Sequence, residues 1–391
     1  MNKAPVPELS PFSLRLMRGA ALLGGLGLTL TGCTSDGEAR PVPSATASAS
    51  AEASPSPTPD ITPSFSSTPE APYTERPLDP PTEKTDSDNE VVRGLDNLER
   101  RTHITFKGAM EFFQIPANTD ERAEAISWHP DALWQINEVG YKPTTIIEPE
   151  TSGYKRNPRK IDAYLKDMKA EGVEAKDWGR VVLVPEPMVG FEEQIEPDQY
   201  ALLVNSQKQS FDEQFPGVET AILIDTAKAE FEPLMQSIQA SRGPGRAPLA
   251  KFKSVGLQAY PNAGEVTFDP QTGKADISSY LSVKHIQRLA KVTGTKRVWI
   301  NTGITREDKA GSFSYTTEQR IAIAHAIADV TRDAATAGIK IDDVMLFAED
   351  KSDQPEGRDF SFQKNEAIIA ETLYDRLHKQ RVPLTGFAVR P

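Results

Sequence analysis

Cysteine is almost absent from this sequence: Cys33 is the only one among 391 residues. A lone cysteine excludes an internal disulfide framework and any metal centre built on paired thiolates. Histidine is scarce as well. His103, His129, His285, His325 and His378 are scattered without ligand spacing, so no zinc site is expected. Basic residues are outnumbered, 44 against 56 acidic ones, and the formal net charge of −12 argues against nucleic acid, whose recognition needs a basic face. No glycine-rich phosphate loop follows any candidate strand, which counts against a nucleotide-binding fold. A nucleophile elbow is missing too, since Gly311-Ser312-Phe313-Ser314-Tyr315 does not make one, and serine hydrolysis is not expected. No cofactor and no metal is called for.

What is present begins with a leader. Lys3, Arg15 and Arg18 supply positive charge, and Gly19 to Leu30 is an uncharged run of Gly, Ala, Leu and Thr. The run falls short of the roughly 20 apolar residues that span a bilayer, but it suits the hydrophobic region of a signal peptide. Leu30-Thr31-Gly32-Cys33 follows. These four residues resemble the bacterial lipobox: a branched residue, two small ones, then cysteine. The resemblance implies a signal peptide over residues 1–32, diacylglycerol on the Cys33 sulfur, and Cys33 as the new N-terminus. The protein would then be anchored by lipid at the extracytoplasmic face of the bacterial cell membrane.

Residues 33–90 carry that cysteine and a linker of Ser, Thr, Pro, Ala and acidic residues, as in Ser54-Pro55-Ser56-Pro57-Thr58-Pro59. Such a composition buries too little apolar surface to offset the entropy of ordering, so a disordered tether is expected. Fully extended as polyproline II, it would reach about 170 Å, an upper bound.

Residues 91–391 alternate apolar β-rich runs with amphipathic stretches. The strand candidates are 103–110, 144–147, 180–184, 220–224, 254–260, 297–300 and 343–347, and Leu384 to Val389 is either an eighth strand or a tail. Helices are expected over 158–171, 197–215, 283–293, 317–337 and 365–379, where apolar residues recur at helical spacing. Strands alternating with helices imply βαβ units and a parallel sheet. The fold class is therefore α/β, a (β/α)8 TIM-like barrel with room for irregularity, and one domain of this length matches it.

In such a barrel, function sits at the C-terminal ends of the strands. Those ends offer Glu111, Glu148, Glu150, Glu186, Asp225, Tyr260, Asn301, Glu349 and Asp350. A ring of carboxylates with amide and phenol groups suits a polysaccharide, because an acid and a base must flank a glycosidic bond. Tyr260 and Trp299 are core or wall residues that could also stack on a sugar. A bland role is open to Asp225 and Glu349, since either could pair with a basic residue or cap the next helix.

Three segments carry a family resemblance. Lys176 to Tyr200, with Pro197-Asp198-Gln199-Tyr200, resembles the acid/base strand and following helix of clan-A glycoside hydrolases of the β-mannanase kind. Ser254 to Pro261 resembles the strand ending in a tyrosine near the nucleophile, and Arg297 to Gly303 the nucleophile strand. The resemblance implies hydrolysis or processing of a polysaccharide with Glu186 as general acid/base. It also shows departures: Pro185 stands where Asn or His usually precedes the glutamate, and Asn301 stands where the nucleophile should be. An amide cannot serve as that nucleophile. Either Glu349, Asp225 or Glu148 serves, or the barrel binds sugar without cleaving it, as a scaffold in a wall or transport complex. A third alternative stays open: Asp225 and Glu349 become the pair if the strands are assigned differently. A two-lobed solute-binding lipoprotein is the weakest reading, because the alternation is continuous.

One expectation is testable at once. Replacing Cys33 with serine removes the only anchor, so membrane fractionation should move the variant into the soluble fraction, and a variant still bound to membranes would refute lipidation at Cys33.

Overall fold

Eight apolar runs pair side by side in parallel until the sheet closes on itself. The computed structural model describes residues 89–102, 104–116, 119–149, 161–185, 199–260, 266–304, 314–348 and 367–388. The leader, Cys33 and the linker lie outside the described residues, as do Glu150, Glu186, Glu349 and Asp350. In chain order the strands are β1 (Gly108–Ile115), β2 (Lys142–Pro149), β3 (Arg180–Leu183), β4 (Glu219–Asp225), β5 (Val255–Ala259), β6 (Thr267–Phe268), β7 (Ala275–Asp276), β8 (Arg297–Gly303), β9 (Lys340–Ala348) and β10 (Leu384–Ala388). The closed barrel runs β1-β2-β3-β4-β5-β8-β9-β10, and β10 pairs back onto β1. Its pairs are all parallel, while β6 and β7 form a separate antiparallel hairpin. The (β/α)8 expectation is met, and Leu384–Ala388 is the eighth strand rather than a tail.

The helices are α1 (Glu90–Thr102), α2 (Thr119–Ile126), α3 (His129–Glu138), α4 (Ile161–Ala170), α5 (Tyr200–Gln214), α6 (Lys228–Ala240), α7 (Val283–Thr293), α8 (Thr317–Thr336) and α9 (Ala367–Lys379). Local chemistry sets several ends. Thr316 and Gln319 close a capping box at the start of α8. Ser282 caps α7, and Gly294 ends it in the left-handed conformation at φ 77°. Ile161, Tyr164, Leu165 and Met168 form the buried stripe of α4 at the expected spacing. Helix α6 was not among the expected helices; it contains Pro233, a residue that removes a backbone donor from a helix interior. Helix α1 lies against the seam where β10 meets β1. Adding a Cβ at Gly386 of β10 would bring it within 2.2 Å of Leu95 on α1 and 3.1 Å of Phe106. Phe106 is thus spent on this packing, which is why β1 begins at Gly108 and not at His103. Among the described residues no helix is long and apolar enough to cross a membrane.

Side chains alternate between the barrel interior and the helix layer. Met110, Ile146, Val182, Ala221, Leu223, Trp299 and Met345 fill the interior. The indole of Trp299 occupies the space that a side chain on β5 would need: a Cβ on Gly256 would stand 2.3 Å from its ring. The Arg180 guanidinium lies 4.9 Å from the Trp299 ring centroid, at the N-terminal end of β3. Around it gather Glu219 and Asp343, each with an oxygen 3.7 Å from an Arg180 nitrogen. These contacts are ion pairs too long for hydrogen bonds. Ser254 donates to Glu219 at 2.9 Å, and Thr385 donates to Asp343 at 2.8 Å. A bulge between β8 and β9 sets this up. Val298 pairs with Ile341 but Trp299 pairs with Asp343, so Asp342 is the extra residue. Without that insertion the parity of β9 would be reversed.

Burial pushes the Asp343 carboxyl up to about 6 from 3.8, against the pull of Arg180 and of the Thr385 hydrogen bond. The folded protein therefore holds this proton more tightly than the unfolded chain does. The stability contributed is complete below about pH 4 and is lost as pH rises to about 6, an amplitude of about 3 kcal/mol. Urea unfolding followed across that range should show the decline in the wild type and a flatter profile in Asp343→Asn. Identical profiles for the two proteins would contradict the assignment.

Candidate functional site

The C-terminal ends of β4, β5 and β8 lie at one height, since Asp225 pairs with Gln258 and Gln258 with Asn301 across the sheet. Each of these residues shares its parity with an interior residue: Leu223, Gly256 and Trp299 respectively. Their side chains join. Gln258 Nε2 donates to Asp225 Oδ2 at 3.2 Å, and Asn301 Nδ2 donates to Gln258 Oε1 at 3.3 Å. The hydroxyl of Tyr260, two residues beyond Gln258, donates to Asn301 Oδ1 at 3.1 Å. The result is a ladder of three hydrogen bonds that all point toward one carboxylate. Gln258 and Asn301 are buried, whereas Asp225 and Tyr260 keep partial exposure at the mouth.

Both ends of the ladder are braced. Asp225 Oδ1 accepts from the Ala227 N–H at 2.6 Å, in the turn that leads into α6. The Thr226 N–H reaches Gln258 O at 2.9 Å, extending the pairing of β4 and β5 by one residue. The Tyr260 ring meets Phe347 of β9 edge to face, with centroids 6.2 Å apart. Thr302 Oγ1 donates to Ala259 O at 2.8 Å, behind the ladder.

Next to this cluster, β3 ends in a strained turn. Val184 is buried and has φ 46°, in the left-handed region that β-branched residues avoid. Such a conformation costs about 1–3 kcal/mol and persists only where surrounding contacts hold it. Here the Val184 N–H donates to Gln207 Oε1 of α5 at 3.0 Å, and Gln207 is itself fully buried. The strained residue stands two positions before Glu186.

Of the residues expected at the site, Asp225, Tyr260 and Asn301 come together. Glu111 and Trp299 do not join them. Strand β1 runs on to Ile115, so Glu111 is mid-strand, 2% exposed, with the parity of Ala109 and Phe113, which pack in the outer clusters. Trp299 is fully buried, two residues below Asn301, and fills the barrel rather than walling its mouth. The backbone of Glu148 stands near the C-terminal end of β2, paired with Gln114. Glu186 and Glu349 lie outside the described residues, but the described strands fix their place in the chain. Glu186 follows the third barrel strand and Glu349 directly follows the seventh, β9. Asn301 belongs to the sixth and Asp225 ends the fourth. Gln258 was missed. Its signal was available: a lone amide in Val255–Ala259, on the same face as Tyr260.

The closed barrel matches the (β/α)8 fold of solved glycoside hydrolases. The β-glycosidase BGL167 superimposes with a TM-score of 0.50 at 12% identity, covering 74% of this chain and 86% of that one. The family 1 β-glucosidase of Thermotoga maritima gives 0.47 at 12%, covering 73% and 85%. The virulence factor SghA of Agrobacterium tumefaciens gives 0.46 at 10%, covering 71% and 85%. At these identities the likeness is one of fold. Neither a family model nor a curated protein sequence matches the chain.

If the ladder holds the mouth together, breaking its middle should be felt. Asn301→Leu removes the acceptor of the Tyr260 hydroxyl and the donor to Gln258, and should lower stability by about 1–3 kcal/mol. Denaturant melts of the variant measure this, and an unchanged midpoint would show that these contacts contribute nothing.

Proposed function

We propose that this chain is a protein lipid-anchored at the extracytoplasmic face of the bacterial cell membrane, whose barrel hydrolyses or processes a polysaccharide of the cell wall or surroundings. The observation that carries this reading is the polar ladder at the mouth of a barrel like those of solved glycoside hydrolases: a carboxylate, two amides and a phenol joined over an apolar barrel core. Sugars are recognised by such groups, and their cleavage needs two carboxyl groups on either side of the scissile bond. Glu186 is the proposed general acid/base. The strained Val184 supports it, because strain of this kind gathers at sites where a following residue must be aimed. Glu349 and Asp225 are the candidates for the second carboxylate, with Glu148 in reserve. Tyr260 and Asn301 are the proposed contacts to sugar hydroxyls. No step needs a cofactor, and the membrane contact is supplied by lipid on Cys33.

A shift of one strand is the competing assignment within the same function. In the chain, Glu186 follows the third barrel strand and Asn301 belongs to the sixth, while Asp225 ends the fourth and Glu349 follows the seventh, so the second pair is shifted by one strand. Only the second arrangement offers a carboxylate in both places. One observation favours a binding barrel without catalysis: both Asp225 oxygens are already engaged, by Ala227 and by Gln258.

The test is a comparison of Glu186→Gln, Asp225→Asn and Glu349→Gln on mannans, galactans, glucans and arabinans, and on 4-nitrophenyl β-D-glucoside. The proposal expects Glu186→Gln to lose about 10²–10⁴-fold in turnover on unactivated glycans. Loss in Asp225→Asn and Glu349→Gln with Glu186→Gln active would establish the shifted pair. Glycan binding without cleavage by the wild type, preserved in Glu186→Gln, would end the enzyme reading in favour of the binding barrel.

A further inference from the structure

We infer that Gln258 is a positioning residue: its carboxamide ties Asp225 on β4 to Asn301 on β8, and through Asn301 fixes the Tyr260 phenol at the mouth. A carboxamide has one donor end and one acceptor end. Asp225, when ionised, can only accept, so it captures the Nε2 end of Gln258 at 3.2 Å. The Oε1 end is thereby turned to β8, where it accepts from Asn301 Nδ2 at 3.3 Å. Asn301, held in that sense, can offer only its Oδ1 to Tyr260, which donates to it at 3.1 Å. The orientation of two amides and one phenol thus follows from the charge of one carboxylate. Gln258 is 2% exposed and Asn301 1%, so bulk water does not compete for these bonds. The shared height of Asp225, Gln258 and Asn301 across three paired strands leaves Gln258 as the bridge from the carboxylate to the phenol.

The functional consequence rests on the glycoside-hydrolase reading. Asp225 and Tyr260 would present to a sugar as one pre-oriented unit, with Gln258 acting through them and not on the sugar. Replacing Gln258 by leucine should then misplace both, and small misplacements of reacting groups cost on the order of 10²-fold in rate.

The direct test does not depend on activity. The nine tyrosines of the full chain are labelled with ¹³C at Cζ, whose resonance reports the hydrogen bonding of the phenol, and Tyr260 is assigned by its loss in Tyr260→Phe. Gln258→Leu should move the Tyr260 resonance although Gln258 does not touch that ring, while buried Tyr164 and Tyr200 stay in place as controls for folding. Asp225→Leu, at a partly exposed position, should move it too, from one residue further along the ladder. Asp225→Asn should move it as well, because an amide has one acceptor oxygen where the carboxylate gives two, to the Ala227 N–H and to Gln258. A Tyr260 resonance indifferent to both leucine variants overturns the inference. Kinetics with 4-nitrophenyl β-D-glucoside then separate the two ideas: Gln258→Leu should lower kcat with KM little changed, and a uniform rise in KM alone would make Gln258 a mere packing residue. A wild type that hydrolyses neither this probe nor any of the four glycans refutes the hydrolase reading, and the resonance shifts still decide the role of Gln258.

Discussion

Closure of the sheet is the constraint from which the other features follow. Once β10 pairs with both β9 and β1, no strand can slide without breaking a neighbour's register. Inward positions then fall into layers. The lowest gathers Arg180, Glu219, Asp343 and Thr385, the middle is apolar around Trp299, and the upper one carries Asp225, Gln258 and Asn301. The same closure explains the glycine at 256. A large indole on β8 can lie flat across the interior only where its neighbour on β5 has no side chain.

The two polar layers differ in what they demand. In the lower one, burial works against the charge on Asp343, and the long ion pairs to Arg180 compensate only in part. In the upper one each hydrogen bond has a defined donor and acceptor, and the carboxylate at its end keeps partial contact with water. Trp299 stands between them among apolar side chains, with the Arg180 guanidinium against its ring on the lower side.

Much of the fold was legible in the sequence because periodicity survives burial. The helical stripes of α4 and α8 and the apolar strands β4 and β8 read directly from spacing and branching. Other elements were hidden by competing local signals. Proline at 233 disguised α6, and the apolar residues Ile104 and Phe106 looked like strand although they pack beside the barrel seam. At the site, Asp225, Tyr260 and Asn301 were found by reading strand ends. Glu111 and Trp299 were drawn in because a sequence does not say where a strand stops or how large a side chain the barrel centre takes. Gln258 escaped notice because an amide one residue inside a strand looks like an ordinary polar core residue until its neighbours on two other strands are known. The strand count mattered most. Only the closed ring tells the third strand from the fourth and the sixth from the seventh.

Helix α1 has a mechanical meaning. It is the first described element of the chain, and its residues Val91, Val92 and Leu95 lie in the core cluster that includes Leu384 of the closing strand. A pull on the chain N-terminal to α1 would reach this helix before any barrel strand. The helix thus stands as a cover over the seam that closes the barrel.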